Sequence, residues 1–339
     1  MPKVTFQHSG KSVDADESEW MYDVVERADG GIPFACKAGA CGTCATPVLA
    51  GIDSLGKVTA REARTLTELG LDLESYRLPC LKDVGAVDLT WGRPRNAADA
   101  DRQLATYEVV VESYRPLTLT VAEIRFFVEK ADFEFRPGQY VIFHIPDAPR
   151  VVRRSYSIST PPSDRRHFEI CVRAVAGGYG SNYVHRLRPG QRLQVEGPYG
   201  DFVLDEDSQR DILMIATGTG ISPIKSMLMH LLDRRSLRRV RLFFGLRHES
   251  DLFYTDLLRG LAAHYPAFEY SIALSQPDPD RWSGVRGRVV DLLERQVTPE
   301  DATHTEAYLC GGQPMIEACT AKLRELGFAD NAIHYERFF

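Results

Sequence analysis

The pattern of hydrophobic and polar positions along this chain changes period three times. Val4-Thr5-Phe6 reads as an opening strand. Residues 19–28 place Trp20, Val24, Val25 and Ala28 on one helical face, and Gly30-Gly31 ends that helix. Residues 84–91 alternate like a closing strand, and residues 92–101 then break every periodicity, as a linker does. From Ala105 the pattern becomes β-rich, with runs at 106–113, 117–128, 139–145, 155–159, 167–175 and 191–196. Turn signals such as Arg136-Pro137-Gly138 and Arg188-Pro189-Gly190 separate them, and this spacing predicts a small antiparallel barrel. From Asp211 short apolar strands at 212–216, 239–246, 268–274 and 306–310 are each followed by a helix-like segment, the first at 224–232. That alternation predicts a parallel sheet wound on both faces. The division is therefore 1–92, a linker at 93–104, a barrel at 105–205 and an α/β domain at 206–339.

Composition narrows the class. At 339 residues the chain exceeds one ordinary domain, and 44% apolar with 26% charged residues is the balance of a soluble globular protein. No uninterrupted apolar run is long enough to cross a bilayer. A net charge of −6 argues against nucleic acid as the main partner. The first thirty residues set Lys3, Lys11 and Arg27 against Asp14, Asp16, Glu17, Glu19, Asp23, Glu26 and Asp29. Such a run is usually a solvated helix face; the sharper reading is a docking surface for a basic redox partner.

Cysteine spacing carries the first chemistry. Cys36, Cys41 and Cys44 stand in a Cys-x4-Cys-x2-Cys loop, and Cys80 follows behind Arg77-Leu78-Pro79. Three thiolates on one tight loop with a distant fourth is the ligand arrangement of a [2Fe–2S] cluster. Gly39 and Gly42 supply backbone freedom, so that N–H groups can turn toward bridging sulfides. A zinc site would show two Cys-x2-Cys pairs or a Cys/His mixture, and the nearest histidines are His8 and His144. A disulfide framework sits poorly with seven cysteines and no apolar signal segment in the first ten residues. A reducing, cytoplasmic setting is the expectation.

Three further stretches carry charge and backbone chemistry. Arg154-Ser155-Tyr156-Ser157 puts a guanidinium, a ring and hydroxyls on one strand, with Arg154 and Tyr156 on one face unless the strand ends there. Gly177-Gly178-Tyr179-Gly180-Ser181-Asn182 leads into a helix expected at 183–187, an arrangement able to hold a diphosphate through backbone N–H groups. Thr217-Gly218-Thr219-Gly220-Ile221-Ser222-Pro223 follows the first strand of the α/β domain, with Pro223 where the usual dinucleotide fingerprint has a third glycine.

Taken together these motifs resemble known families over nearly the whole chain. The first ninety-odd residues resemble the plant-type ferredoxin domain, a β-grasp fold, with Lys37 as its basic residue after the first cysteine and Cys36, Cys41, Cys44 and Cys80 as ligands. The rest resembles the ferredoxin–NADP reductase superfamily. Its Arg-x-Tyr-Ser is Arg154, Tyr156 and Ser157, its Gly-x-x-Ser is Gly178 to Ser181 across Gly180, and its next flavin-contacting strand is Cys171-Val172-Arg173. Gly197-Pro198-Tyr199-Gly200-Asp201-Phe202 matches its domain-closing motif. The resemblance implies FAD, with Arg154 and Ser181 at the diphosphate, Tyr156 against the isoalloxazine and Ser157 near the reactive nitrogen. It implies a pyridine dinucleotide facing Thr217, Gly218, Thr219, Gly220 and Pro223, with Arg247 and Ser275 beside it. Cys310, Gly311 and Met315 lie in its nicotinamide-side motif, with Cys310 near the reacting carbon. The tail resembles a Glu-x-Phe ending, which leaves open whether Phe338 or Phe339 covers the flavin.

The fold class is thus multidomain α+β and α/β: a β-grasp ferredoxin domain, an antiparallel β-barrel flavin domain and a doubly wound parallel-sheet nucleotide domain. That order resembles the NADH-dependent reductase components of bacterial multicomponent oxygenases. It implies an oxidoreductase, with Ser157 and Cys310 as catalytic residues, that passes electrons from NADH through FAD and the cluster to an oxygenase or other accepting protein. A monomer is expected, with no nucleic acid or membrane as partner. Two alternatives stay open: a reductase serving a deoxysugar dehydrase, and a redox-sensing module without turnover. Gln276, Asp278 and Asp280 after the strand at 268–274 favour NADH over NADPH, with Arg247 and Arg281 as the nearby cations.

Overall fold

The computed structural model describes residues 1–34, 39, 42–95, 105–129, 132–147 and 150–338. Contacts divide the chain into two compact units, Met1–Ala105 and Thr106–Phe339. In the first, Lys3–Phe6 (β1) alternates so that Val4 and Phe6 point inward. It pairs antiparallel with Lys11–Asp14 (β2) and parallel with Leu89–Trp91 (β5). Thr46–Ala50 (β3) and Tyr76–Arg77 (β4) complete the order β2-β1-β5-β3-β4. Helix Met21–Ala28 (α1) buries Met21, Tyr22, Val24 and Val25 in this unit's core. A second helix, Ala60–Glu68 (α2), was not legible in the sequence pattern; Thr59 caps it, its hydroxyl accepting from the Glu62 N–H at 3.2 Å. This is the expected β-grasp. The closing strand, expected over 84–91, is shorter than its alternation predicts, and Val84 pairs elsewhere. The Val84 N–H donates to the Glu19 carbonyl, the Ser18 N–H to the Val84 carbonyl, and Asp83 bridges Trp20.

The second unit begins with six antiparallel strands: Ala105–Pro116 (β6), Val121–Val128 (β7), Tyr140–Asp147 (β8), Arg150–Ser157 (β9), His167–Arg173 (β10) and Arg192–Tyr199 (β11). Their order is β10-β7-β6-β11-β8-β9, and an Ile158–Ile170 bridge joins the two end strands into a barrel. Phe126, Phe143 and Phe168 fill it. The helix after β10 runs Tyr179–His185 (α3), four residues earlier than expected. The Asn182 side chain stabilises this start by donating to the carbonyls of Val175 and Gly178, so the glycine-rich stretch becomes the first turn.

The remainder is a six-stranded parallel sheet, in order β15-β14-β13-β12-β16-β17. Its strands are Asp211–Thr217 (β12), Val240–Leu246 (β13), Phe268–Leu274 (β14), Val285–Arg286 (β15), Thr305–Gly312 (β16) and Ile333–Phe338 (β17). Helices Ile221–Asp233 (α4), Thr255–His264 (α5), Val289–Gln296 (α6) and Gln313–Glu325 (α7) cover it. Pro223 sits in the first turn of α4, where its missing N–H costs nothing. Alternation sorts the strand residues between two cores. Met214, Ala216, Tyr308 and Cys310 join a core that also holds Val121, Cys171, Phe202 and Leu204 of the barrel segment. Leu213, Ile215, Ala307 and Leu309 face the other core, beside α6 and α7. Cys310 is therefore turned toward the barrel side by strand parity alone.

Candidate functional site

Cys44 and Cys80 are both buried, and the short 3₁₀ turn Pro79–Leu81 carries Cys80. Gly39 and Gly42 have φ of +70° and +72°, the left-handed region. A Cβ on Gly39 would collide with the Leu81 side chain, and the Gly39 carbonyl accepts from Thr65 Oγ1 at 2.7 Å. Gly39 is thus pressed against the turn that bears Cys80. Trp20 Nε1 donates to the Cys80 carbonyl at 3.1 Å, fixing the same turn from the α1 side. The buried donors and the close backbone approach fit a thiolate-held cluster; Cys36, Lys37 and Cys41 lie outside the described residues. One feature here had no signal in the sequence. Lys82 and Glu62 form an ion pair at 2.7 Å, with side chains 3% and 0% exposed, and Glu62 also accepts from the Leu78 N–H at 2.9 Å. This ties the Cys80 turn to α2.

In the barrel, β9 and α3 meet where the sequence motifs required. A Cβ on Gly180 would lie 2.7 Å from Arg154 Cγ and 3.4 Å from the Tyr156 hydroxyl, so only glycine allows this approach. Arg154 is exposed and its guanidinium donates to the Arg153 carbonyl at 2.8 Å. Tyr156 stands edge-on to Phe143, centroids 5.0 Å apart, and burial raises its phenol well above the usual range despite Arg154 nearby. The Ser181 hydroxyl accepts from the Val175 N–H at 3.1 Å and lies 3.4 Å from the Gly178 carbonyl, closing the loop. An exposed guanidinium over a close-packed glycine turn fits the diphosphate of a flavin dinucleotide. Cys171 turns its thiol elsewhere, toward the nucleotide domain, where burial pushes it up to about 12. Arg173, two residues on and on the same strand face, approaches Asp251 at 3.8 Å.

Strand β9 ends at Ser157, and the Ser157 hydroxyl donates to a Glu336 carboxylate oxygen at 3.4 Å. Glu336 is the register partner of Cys310 on adjacent parallel strands, and Cys310 is in turn the partner of Ala216. Burial drives the Cys310 thiol well above its ordinary value, with the Glu336 charge adding to it. Burial likewise lifts Glu336 to about 8, against the Ser157 hydrogen bond that lowers it. A Cβ on Gly220 would strike the Cys310 carbonyl, so the Thr217–Gly220 turn packs directly on the end of β16. Gly311 stands against Thr217 in the same way, and Met315 is half-buried beside it. These loops, with Gly218 at φ +53°, leave backbone at the C-terminal ends of the central strands, where a dinucleotide fits an open parallel sheet. Ser275 and exposed Arg247 close the neighbouring strand ends: the Ser275 N–H donates to the Leu246 carbonyl at 3.0 Å and the Gln276 N–H to the Arg247 carbonyl at 2.8 Å. Phe338 packs on the core that contains Cys310, and Phe339 lies outside the described residues.

Comparisons with known proteins give the same three kinds of domain. Family models match in the same order: a 2Fe-2S iron-sulfur cluster binding domain over residues 4–81, an oxidoreductase FAD-binding domain over 108–204 and an oxidoreductase NAD-binding domain over 214–321. A reductase component of the naphthalene 1,2-dioxygenase/salicylate 5-hydroxylase systems of Ralstonia is 30% identical, covering 96% of this chain and 95% of the relative. The chain belongs to the iron–sulfur flavoprotein reductase components of multicomponent oxygenases. The phenol hydroxylase P5 protein of Acinetobacter pittii is 29% identical over 99% of this chain and 94% of its own length. The crystal structure of an Amycolatopsis cytochrome P450 reductase superposes with a TM-score of 0.74 at 25% identity, covering 100% of this chain and 99% of the other. FAD, NAD and [2Fe–2S] are the cofactors of this reductase.

Glu336 is the site residue that motif reading did not assign. Strand β17 was not expected, yet its position beside β16 is what delivers Glu336 to Ser157. Its only trace in the sequence was the Glu-x-Phe tail.

Proposed function

We propose that this reductase oxidises NADH and delivers electrons one at a time to the oxygenase component of a Rieske dioxygenase or diiron monooxygenase system. Bound FAD would supply the exchange between two-electron hydride chemistry and single-electron transfer, and the [2Fe–2S] cluster would supply a one-electron carrier. The observation that carries the reading is the convergence of Ser157 from the barrel with Cys310 and Glu336 from the nucleotide domain. Ser157 holds a hydroxyl at the strand end, where it can bond the flavin's reactive edge. Glu336, lifted to about 8, keeps its proton at neutral pH and can hold or pass it at its carboxyl oxygen. Cys310, kept as a neutral thiol, offers a compact polarisable wall that excludes water from the reacting faces. Arg154 would bind the flavin diphosphate, and Cys36, Cys41, Cys44 and Cys80 would hold the cluster.

A sensor without turnover has no use for this assembled nicotinamide side, and nothing in the site favours a dehydrase partner. Among the described residues no helix is long and apolar enough to span a membrane. Within this reading the chain works as a cytoplasmic monomer, with Cys171, Cys310 and Cys319 as buried thiols. The test is reconstitution with FAD, iron and sulfide, followed by NADH-driven turnover with candidate oxygenases. Product formed in step with NADH consumed is the expected result; NADH oxidation without transfer to any of them would overturn the acceptor assignment.

A further inference from the structure

A second set of polar contacts crosses from the barrel to the nucleotide domain, apart from the Ser157–Glu336 pair. Glu123, on β7, is 7% exposed. Its Oε1 accepts from Arg115 of the barrel, at 3.1 Å from Nε and 2.5 Å from Nη2. Its Oε2 accepts from the Tyr254 hydroxyl at 2.5 Å and from Lys225 Nζ at 3.1 Å, both of the nucleotide domain. Each oxygen of one buried carboxylate is thus committed to a different domain. Lys225 also reaches Glu169 of β10 at 3.0 Å, and its ammonium stands 5.0 Å from the Tyr254 ring centroid. Burial raises the Glu123 carboxyl, but Lys225, Tyr254 and Arg115 outweigh it and hold it below the usual range.

Tyr254 has φ +60°, a left-handed conformation that a bulky residue adopts only when its surroundings impose it. That turn, just ahead of α5, is what aims the phenol at Glu123. Around these charged contacts Val121, Phe202 and Leu204 pack with Ile221, Ile224 and Met227, and uncharged hydroxyls add single bonds, Ser226 Oγ donating to the Thr160 carbonyl at 2.6 Å and Ser222 Oγ to the Cys171 carbonyl at 3.4 Å. Apolar burial is non-directional and tolerates sliding, whereas charge-assisted hydrogen bonds fix both distance and angle.

We propose that Glu123, Lys225 and Tyr254 are positioning residues that set the register of the nucleotide domain on the barrel, and through it the placement of Cys310 and Glu336 against Ser157. The proposal rests on the reductase reading. The test compares Tyr254→Phe, which keeps the ring, and Lys225→Met with the wild-type holoprotein. Anaerobic rapid mixing with NADH and with its 4-deuterated form gives the rate constant of flavin reduction, its isotope effect and the Kd. Hydrogen–deuterium exchange over residues 119–126 and 251–260, together with Tm and FAD content, reports the seam independently of turnover. A rate loss on the order of tenfold to a hundredfold is expected, because small misplacements at a reacting centre are costly. Kd and FAD content should stay within about twofold, with faster exchange in both segments. Rates within about twofold of wild type in both variants would overturn the proposal, as would a rate loss matched by an equal loss of FAD or by melting. A wild-type protein that does not oxidise NADH would instead overturn the reductase reading itself.

Discussion

The Ser157 hydroxyl and the Glu336 carboxylate meet at 3.4 Å although 179 residues separate them in the chain. One comes from the last residue of a barrel strand and the other from the edge strand of the parallel sheet. Glu336 is the group there whose charge changes within the working pH range. Its folded pKa of about 8 exceeds the ordinary 4.5. Its relative contribution to stability is therefore full below about pH 4.5 and is lost as pH rises through about 8. Replacing it by Gln should leave the variant more stable relative to wild type at pH 8.5 than at pH 5, measured as Tm at the two values. NADH-driven ferricyanide reduction by Glu336→Gln should fall about a hundredfold, the usual scale for a lost proton-handling group. A Tm difference independent of pH would contradict the assignment.

Coenzyme choice follows from the end of β14. The Asp278 N–H donates to the Glu249 carboxylate at 2.8 Å, and Arg281 lies 3.5 Å from Asp278 rather than standing free. Gln276 is held by its carbonyl against a His248 ring nitrogen at 2.6 Å. Carboxylates at this rim repel a 2′-phosphate, so kcat/KM should favour NADH over NADPH by at least about tenfold. Equal or higher kcat/KM with NADPH would sink this expectation.

Removing the guanidinium of Arg154 should loosen the flavin without unfolding the barrel, since the side chain is exposed and outside the Phe126–Phe143–Phe168 core. Loss of one charge-assisted donor is worth about 1.5–3 kcal/mol, or roughly ten- to a hundredfold in FAD affinity. Fluorescence titration of the apoprotein measures it. Full FAD retention by Arg154→Ala would mean that Arg154 does not hold the diphosphate.

Cys80→Ser should remove the cluster while leaving the second compact unit intact, because Cys80 belongs to the unit ending at Ala105. The variant should keep its flavin absorption and reduce ferricyanide at a rate within about twofold of wild type. Transfer to cytochrome c or to an oxygenase should collapse. Persistence of the reduced-cluster paramagnetic signal would show that Cys80 is not a ligand.

Much of this protein was written locally. The cysteine spacing, the Arg-x-Tyr-Ser strand and the glycine-rich turns are contiguous, and each makes its chemistry through neighbours in sequence or through backbone geometry that glycine alone permits. The apolar run at 212–216 falls within β12, Asp211–Thr217, because a central strand buried on both faces leaves an unbroken signal. Elements held by remote partners were not legible. Val84 alternates as if to open the strand that ends as β5 but bonds instead to the loop before α1. Strand β17, with half-buried residues and no strong alternation, exists because β16 offers it a parallel edge. The pairings Glu62–Lys82, Glu123–Tyr254 and Ser157–Glu336 join residues 20, 131 and 179 positions apart. Sequence determined which groups could do redox chemistry and in what order along the chain. Only tertiary packing decided which of them meet, because a buried charge or hydroxyl takes its partner from whatever the folded backbone brings within hydrogen-bond reach.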